Sequence, residues 1–230
     1  EFVFRDRFYP RIRFYDIEIF GPDGRRIVSF ASVEARLSLE RLIAGRLRPS
    51  HVWITGVSAK LQRAADGSFN LTAEGEAAAP LRRAASVPDL IKQVDRLLAR
   101  RALADLVEAE LQGLTLRYED LRTERGWTVD GGRVRMTREG NELQMAADLA
   151  LLSGGTGVAT LEATYETVLG DSAAEFGVNF TDVSAGDIAA QGPAFAWLDI
   201  LRAPISGALR SGVSDDGTVQ ELNATLTIRQ

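Results

Sequence analysis

His51 is the only histidine in the chain, and it lacks the company that metal or acid–base chemistry needs. No cysteine exists, no Asp stands at ligand spacing from it, and one His cannot build a zinc site. It reads as a surface residue just after Pro49, at the start of a strand. Asp215-Asp216-Gly217 opens like half of a calcium loop, but the residues after it lack a ligand at every second position and the closing Glu, so it reads as a hairpin turn. Gly154-Gly155-Thr156-Gly157 would cradle a phosphate only ahead of a helix N-terminus, and a strand-like run comes after it instead. Glu119-Asp120 and Glu108 with Glu110 pair carboxylates without the converging cleft that glycoside hydrolysis requires, and they read as solvated charges. Ser153, Ser184 and Ser206 have no Gly-x-Ser-x-Gly context. The expectation is a protein that is no enzyme, with no catalytic residue, no cofactor and no metal.

Composition narrows the remaining classes. With 230 residues, 45% of them hydrophobic, the chain can bury a sizeable core, which excludes disordered and collagen-like classes. A net charge of -5 supplies no basic stripe for a phosphate backbone, so no nucleic-acid partner is expected. The absence of cysteine removes thiolate sites and disulfides together. No run of about 18 apolar residues is present to span a bilayer as a helix. The chain opens in mid-pattern at Glu1-Phe2 and stops at the end of a strand at Gln230, so we expect a piece of a longer protein, whose targeting segments lie outside it.

The elements that organise these residues are strands. From Ile27 to Leu39 the positions Ile27, Ser29, Ala31, Val33, Ala35, Leu37 and Leu39 oppose Ser32, Glu34, Arg36 and Ser38, a period of two. The same alternation returns in Trp53, Val57, Ala59 and Leu61, and in Leu143, Met145, Ala147, Leu149 and Leu151. Further strands are expected at Leu114 to Asp120, Arg133 to Arg138, Val158 to Val168, Glu175 to Thr181, Ile205 to Val213 and Val219 to Ile228. Turn chemistry separates them, at Pro22-Asp23-Gly24, Asp66-Gly67-Ser68, Asp130-Gly131-Gly132, Glu139-Gly140-Asn141 and Ser153-Gly154-Gly155. Ile12 and Phe14 sit on one parity and Ile17 and Ile19 on the other, which predicts a bulge near Tyr15-Asp16. Three segments break the period: a short helix or turn from Glu40 to Leu47, a long amphipathic helix from Ser86 to Leu111, and one or two helical turns within Ala185 to Leu201. Ser86 would cap the long helix, and Leu90, Ile91, Val94, Leu97, Leu98, Leu106 and Leu111 would form its apolar stripe.

The expected fold is therefore mostly β with one long helix (α+β), a long curved antiparallel meander sheet with one apolar face, which the resemblance given below turns into an apolar groove. Its parts are an N-terminal β module over 1–72, a linker and amphipathic helix over 73–113, and a β-meander groove module over 114–230, or one continuous domain. About ten strands with four or five inward apolar residues each present roughly 40 to 50 side chains, whereas one such helix covers about 8 to 10. The sheet must then close on itself, or remain a trough that meets something else.

The stretch from Asp16 to Leu71 carries a strand and turn at Gly21 to Gly24, a strand over Val28 to Leu39, a Leu-x-x-Gly-x-Leu-x-Pro link from Leu42 through Gly45 and Leu47 to Pro49, and a close over Arg63 to Leu71 with Gly67, Phe69 and Asn70. It resembles the N-terminal module of the AsmA-like superfamily, YhdP-type. Phe180 to Ile228, with a short helical piece before Pro204, Ile205, Ser206 and Gly207, resembles the second recurrent element of such chains. The resemblance implies a periplasmic protein, anchored to the inner membrane by a helix preceding Glu1. It would carry phospholipid acyl chains in a hydrophobic β-groove toward the outer membrane. The alternative is a structural or assembly module for outer-membrane biogenesis that binds no lipid. On strand parity the groove lining would be Val33, Leu37, Trp53, Val57, Leu61, Leu116, Met136, Leu143, Met145, Leu149, Leu161, Tyr165, Phe176 and Phe180. The two methionines suit an irregular apolar partner and a packed core alike.

Overall fold

A computed structural model describes residues 10–20, 24, 26–37, 39–46, 48–65, 69–72, 79–80, 96, 98, 100–152, 158–189, 193–201, 203–216, 218 and 220–228. It is mostly strand: β1 (Arg11–Phe20), β2 (Arg26–Leu37), β3 (Pro49–Arg63), β4 (Phe69–Thr72), β5 (Ala79–Pro80), β6 (Glu108–Asp120), β7 (Arg125–Glu139), β8 (Glu142–Leu152), β9 (Ala159–Val168), β10 (Ala174–Ser184), β11 (Pro204–Val213) and β12 (Asn223–Ile228). Ten of these lie side by side in the order β1-β2-β3-β6-β7-β8-β9-β10-β11-β12, with β4 and β5 branching from β3. The sheet is open, since β1 and β12 each pair on one side only among the described residues.

The meander predicted from the turns holds within each half and fails between them. β3 and β6 run parallel, from His51 opposite Glu108 to Arg63 opposite Asp120. A parallel neighbour requires the chain to return to its starting end, and here the connection through 64–107 does so. Local turn residues carry no trace of such a pairing. On its other side β3 is shared, β2 covering Pro49 to Ser58 and β4 continuing from Lys60 to Arg63.

A line of backbone breaks crosses five neighbouring strands. Asp16 on β1 and Gly56 on β3 take φ of 49° and 66°, and Gly113 on β6 and Gly131 on β7 take 66° and 71°. Asp16, Ala31, Gly56 and Gly113 drop out of their ladders while the pairs on both sides continue, and the β6–β7 register shifts beside Gly113. The break predicted at Tyr15-Asp16 is thus one point of a crease. Because paired residues share a face, the crease reverses parity in all five strands together: Phe14 and Ile17, Val33 and Phe30, Ile54 and Val57, and Leu111 and Leu114 come to the same side. Two expectations change with it. Ser29 leaves the apolar face to Val28 and Phe30, and Asp130-Gly131-Gly132 is a bulge inside β7, whose real turn spans 121–124.

The long helix is not shown. Of the stretch from Ser86 to Leu111, residues 86–95, 97 and 99 lie outside the described set; Arg96 and Leu98 are helical, Arg101–Leu103 is a single 3-10 turn, and Glu108 to Leu111 belong to β6. Leu111 pairs with Ile54 and Val134, so its apolar character comes from the sheet and not from a helix stripe. The Ala185 to Leu201 stretch does hold helix, at Ala185–Ala189 and as a 3-10 segment at Pro193–Ile200.

Among the described residues, these pieces pack on the apolar face at two places. Leu98, Leu103 and Leu106 pack on Met136 and Leu143 with Val52 and Met145. Ala185, Ile188 and Leu198 pack on Phe180 and Ile205. Among the described residues, no helix is long and apolar enough to cross a membrane.

The crease makes Gly56 its most sensitive point. A Cβ there would stand 2.7 Å from the Ala31 Cβ in addition to the left-handed strain, whereas a Cβ on Gly131 meets nothing within 4 Å. Gly56→Ala should cost about 2–4 kcal/mol and Gly131→Ala about 1 kcal/mol in urea unfolding, and equal costs would show that the crease does not depend on close approach at Gly56.

Candidate functional site

The broadest continuous feature of the molecule is one row of residues paired strand to strand across the whole sheet. Phe14 pairs with Val33, Val33 with Ile54, Ile54 with Leu111, and Leu111 with Val134. The row then continues from Val134 through Ala147, Ala163, Val178 and Leu209 to Ala224 on β12. Every member is apolar and none is fully buried. Ten strands at about 4.8 Å spacing make this row roughly 43 Å long. Next to it runs a second row, of Met136, Met145, Tyr165 and Phe176, and on the other side Leu149, Leu161 and Phe180.

Thirteen of the fourteen residues expected to line a groove reach this face. Val33 and Leu37 arrive on β2, Val57 and Leu61 on β3, Leu116 on β6 and Met136 on β7. Leu143, Met145 and Leu149 come on β8, Leu161 and Tyr165 on β9, and Phe176 and Phe180 on β10. Leu143 and Met136 are closed over by Leu98, Leu103 and Leu106, and Phe180 by Leu198, and with Leu37 and Val57, which are also buried, these five are core side chains.

Trp53 is the exception. It precedes Gly56, so the parity that places Val57 on the apolar face places Trp53 on the opposite one, facing Glu34 and Glu110. Its ring stacks on His51 at 5.6 Å between centroids, and the Arg11 guanidinium lies 5.6 Å from it. Val52 and Ile54 hold the apolar positions instead. An isolated glycine within an alternating strand is the signal for such a bulge, and Gly56 and Gly113 both provide it. Phe30 and Val129 also belong to this face and escape the parity reading, Phe30 because alternation sets it in the wrong phase and Val129 because it precedes the strand expected from Arg133, whereas Leu114 and Val178 lie in phase within their expected strands.

The opposite face is charged and paired. Arg11 donates to Glu34 at 2.9 Å, and Arg13 bonds the same carboxylate. Glu110 accepts from Gln112 at 3.0 Å, with Arg133 and Arg135 each at 3.5 Å, and Lys60 meets Glu119 at 2.8 Å. These partners hold all three carboxyls below their ordinary range: Glu110 through the Gln112 bond first and then its arginines, Glu34 through Arg13, and Glu119 through Lys60. Burial and the Arg36 charge push the His51 imidazole down, against a smaller opposing pull from Glu108. This face is a lattice of ion pairs. Among the described residues, no group of three or more acidic or histidine side chains could hold a metal ion.

A cavity of about 360 Å³ opens on the apolar face where β9 to β12 pass under the Ala185–Ala189 helix. Its walls include Leu161, Val178, Phe180 and Leu209, with Ile188 overhead and Asp187 the one charged residue among those lining it. A second cavity of about 600 Å³ at the opposite ends of β8 to β11 is lined in large part by carboxylates, among them Glu142, Glu166 and Glu175. Chemically, the first site suits hydrocarbon and the second water.

Comparison with protein-family models, curated proteins and solved structures gives no match.

The depressed carboxyls fix the sign of the acid response. Folded values below the ordinary 4.5 give stability that is complete above that pH and lost as pH falls through the folded values. The thermal midpoint should therefore drop below about pH 4.5, and Glu110→Gln should shrink that drop. An unchanged acid limb in this variant would show that Glu110 is not among the groups responsible.

Proposed function

We propose that this chain is a non-catalytic module that carries phospholipid acyl chains along the apolar face of its sheet. The observation that carries the reading is the row from Phe14 to Ala224, apolar on all ten strands, exposed at both ends and fully buried at none of its positions. An acyl chain laid along it gains about 0.8 kcal/mol per buried methylene while its headgroup stays in water at the rim. The resemblance to AsmA-like, YhdP-type chains supports the same reading and supplies its setting: the periplasm, with an anchor in the inner membrane and transport toward the outer one. No step of this function breaks a covalent bond, so catalytic groups are not needed.

A second reading, a structural or assembly module without lipid, draws support from the edges. β1 exposes Phe14, Tyr15, Ile19 and Phe20, and β12 exposes Leu226 and Ile228, each on a strand that pairs on one side only among the described residues. Such edges suit pairing with protein.

Native mass spectrometry with lipid extraction on the chain purified from a Gram-negative host separates the two. We expect stoichiometric phospholipid on the wild type, and its loss in Met145→Asp and in Ala163→Asp with the β signal retained by circular dichroism. A lipid-free, cooperatively folded chain that takes up no phospholipid would overturn the lipid reading. So would unfolding of the Ala163→Asp variant, because a half-exposed position in an open trough tolerates a carboxylate and a packed core does not.

A further inference from the structure

The cavity beneath the Ala185–Ala189 helix differs from the open stretches of the apolar face in having a roof, and its lining holds one charged residue. That residue is Asp187, and Arg125, from the first position of β7, donates to it from Nη1 at 3.1 Å. The second arm of the same guanidinium, Nη2, lies 3.5 Å from Asp199 on the 3-10 segment. Gly186 makes room for the group: a Cβ there would lie 2.8 Å from Nη1. One cation thus ties both pieces of the lid to the sheet, one hydrogen bond away from a residue that lines a hydrocarbon-walled space.

We propose that this cavity binds one acyl chain of a single-chain carboxylate amphiphile, with Arg125 receiving the headgroup. The inference rests on the lipid reading and narrows the ligand for this corner of the face. Volume sets the number of chains. About 360 Å³ is at the small end for ligand pockets and equals roughly a dozen groups of about 30 Å³, so one chain of about twelve carbons fits and a two-chain lipid does not. Charge sets the headgroup. The Arg125–Asp199 contact is long and Asp199 is 66% exposed, so that contact is weak and readily exchanged. A ligand carboxylate that takes the place of Asp199 on Nη2 meets a guanidinium already positioned for a carboxylate, and it replaces one negative charge by one. A phosphate dianion in that place would add charge beside Asp187 and Asp199.

Titration calorimetry with dodecanoate, and with dodecanol as its neutral counterpart, tests this on the purified chain. One dodecanoate should bind, about tenfold more weakly in Arg125→Gln, while dodecanol binding stays unchanged in that variant. Asp199→Asn, which removes the competing carboxylate, should tighten dodecanoate about threefold. Leu226→Asp, at a lining position 37% exposed on the edge strand, should abolish binding of both probes with folding intact, and Ile188→Trp should do the same by filling the space from the lid. Weaker binding in Asp199→Asn would show that Asp199 holds the lid and does not exchange, overturning the proposal. Equal loss of dodecanol and dodecanoate in Arg125→Gln would overturn the headgroup role. Undiminished binding in both blocking variants would place the chain elsewhere. A chain that retains phospholipid in native mass spectrometry but takes no dodecanoate would overturn this inference alone; one that takes neither would overturn the lipid reading as well.

Discussion

A strand sends successive side chains to opposite faces unless its backbone is broken, and the architecture here depends on five strands breaking at one level. Had only β3 bulged at Gly56, its Val57, Ala59 and Leu61 would have been thrown onto the charged face, opposite partners of the wrong kind. Asp16, Ala31, Gly56, Gly113 and Gly131 make the change together, so each ladder keeps apolar opposite apolar on both sides of the crease. The price is the left-handed backbone at four of these positions, three filled by glycine and one by an aspartate, the residue types that tolerate it best. The same device recurs once in the other half, at Asp182, where φ is 56° and the backbone N–H donates to Ser206 Oγ.

How much of this is legible in the sequence depends on the range of each determinant. β8, β9 and the part of β10 up to Phe180 alternate without interruption, and their phases, with Met145, Leu149, Leu161, Tyr165, Phe176 and Phe180 on one side, can be read residue by residue. Trp53 is misplaced by the same reading because regular residues flank Gly56 on both sides, and the glycine passes for part of the alternation. Leu111 reads as helical because a leucine after leucines at helical spacing satisfies both periods, and only its partners Ile54 and Val134 decide between them. The parallel pairing of β3 and β6 lies beyond local reading altogether, because it is set by the fit of two strands separated by the whole 64–107 connection.

The two faces divide the physical work. On the charged side, Arg11, Arg13, Arg133, Arg135 and Lys60 are held by Glu34, Glu110 and Glu119, an arrangement that keeps one side of an open sheet in water. On the other side, hydrophobic cover is concentrated at Leu98 to Leu106 and at Ala185 to Leu201, and the middle is left without it among the described residues. The covered patches fix the sheet, and the half-exposed row between them is what a hydrocarbon partner could use.

The parallel seam between β3 and β6 also orders events in time. During synthesis the first three strands can zip locally, since β1, β2 and β3 are joined by short connections, and β7 through β12 can do the same once made. The seam cannot close until both halves exist, and it carries the loop-closure entropy of everything between them. Until then one side of β3, fifteen residues long, stands as a bare hydrogen-bonding edge on a nascent chain. A cell making this protein must guard that edge from other chains for as long as the ribosome takes to reach β6.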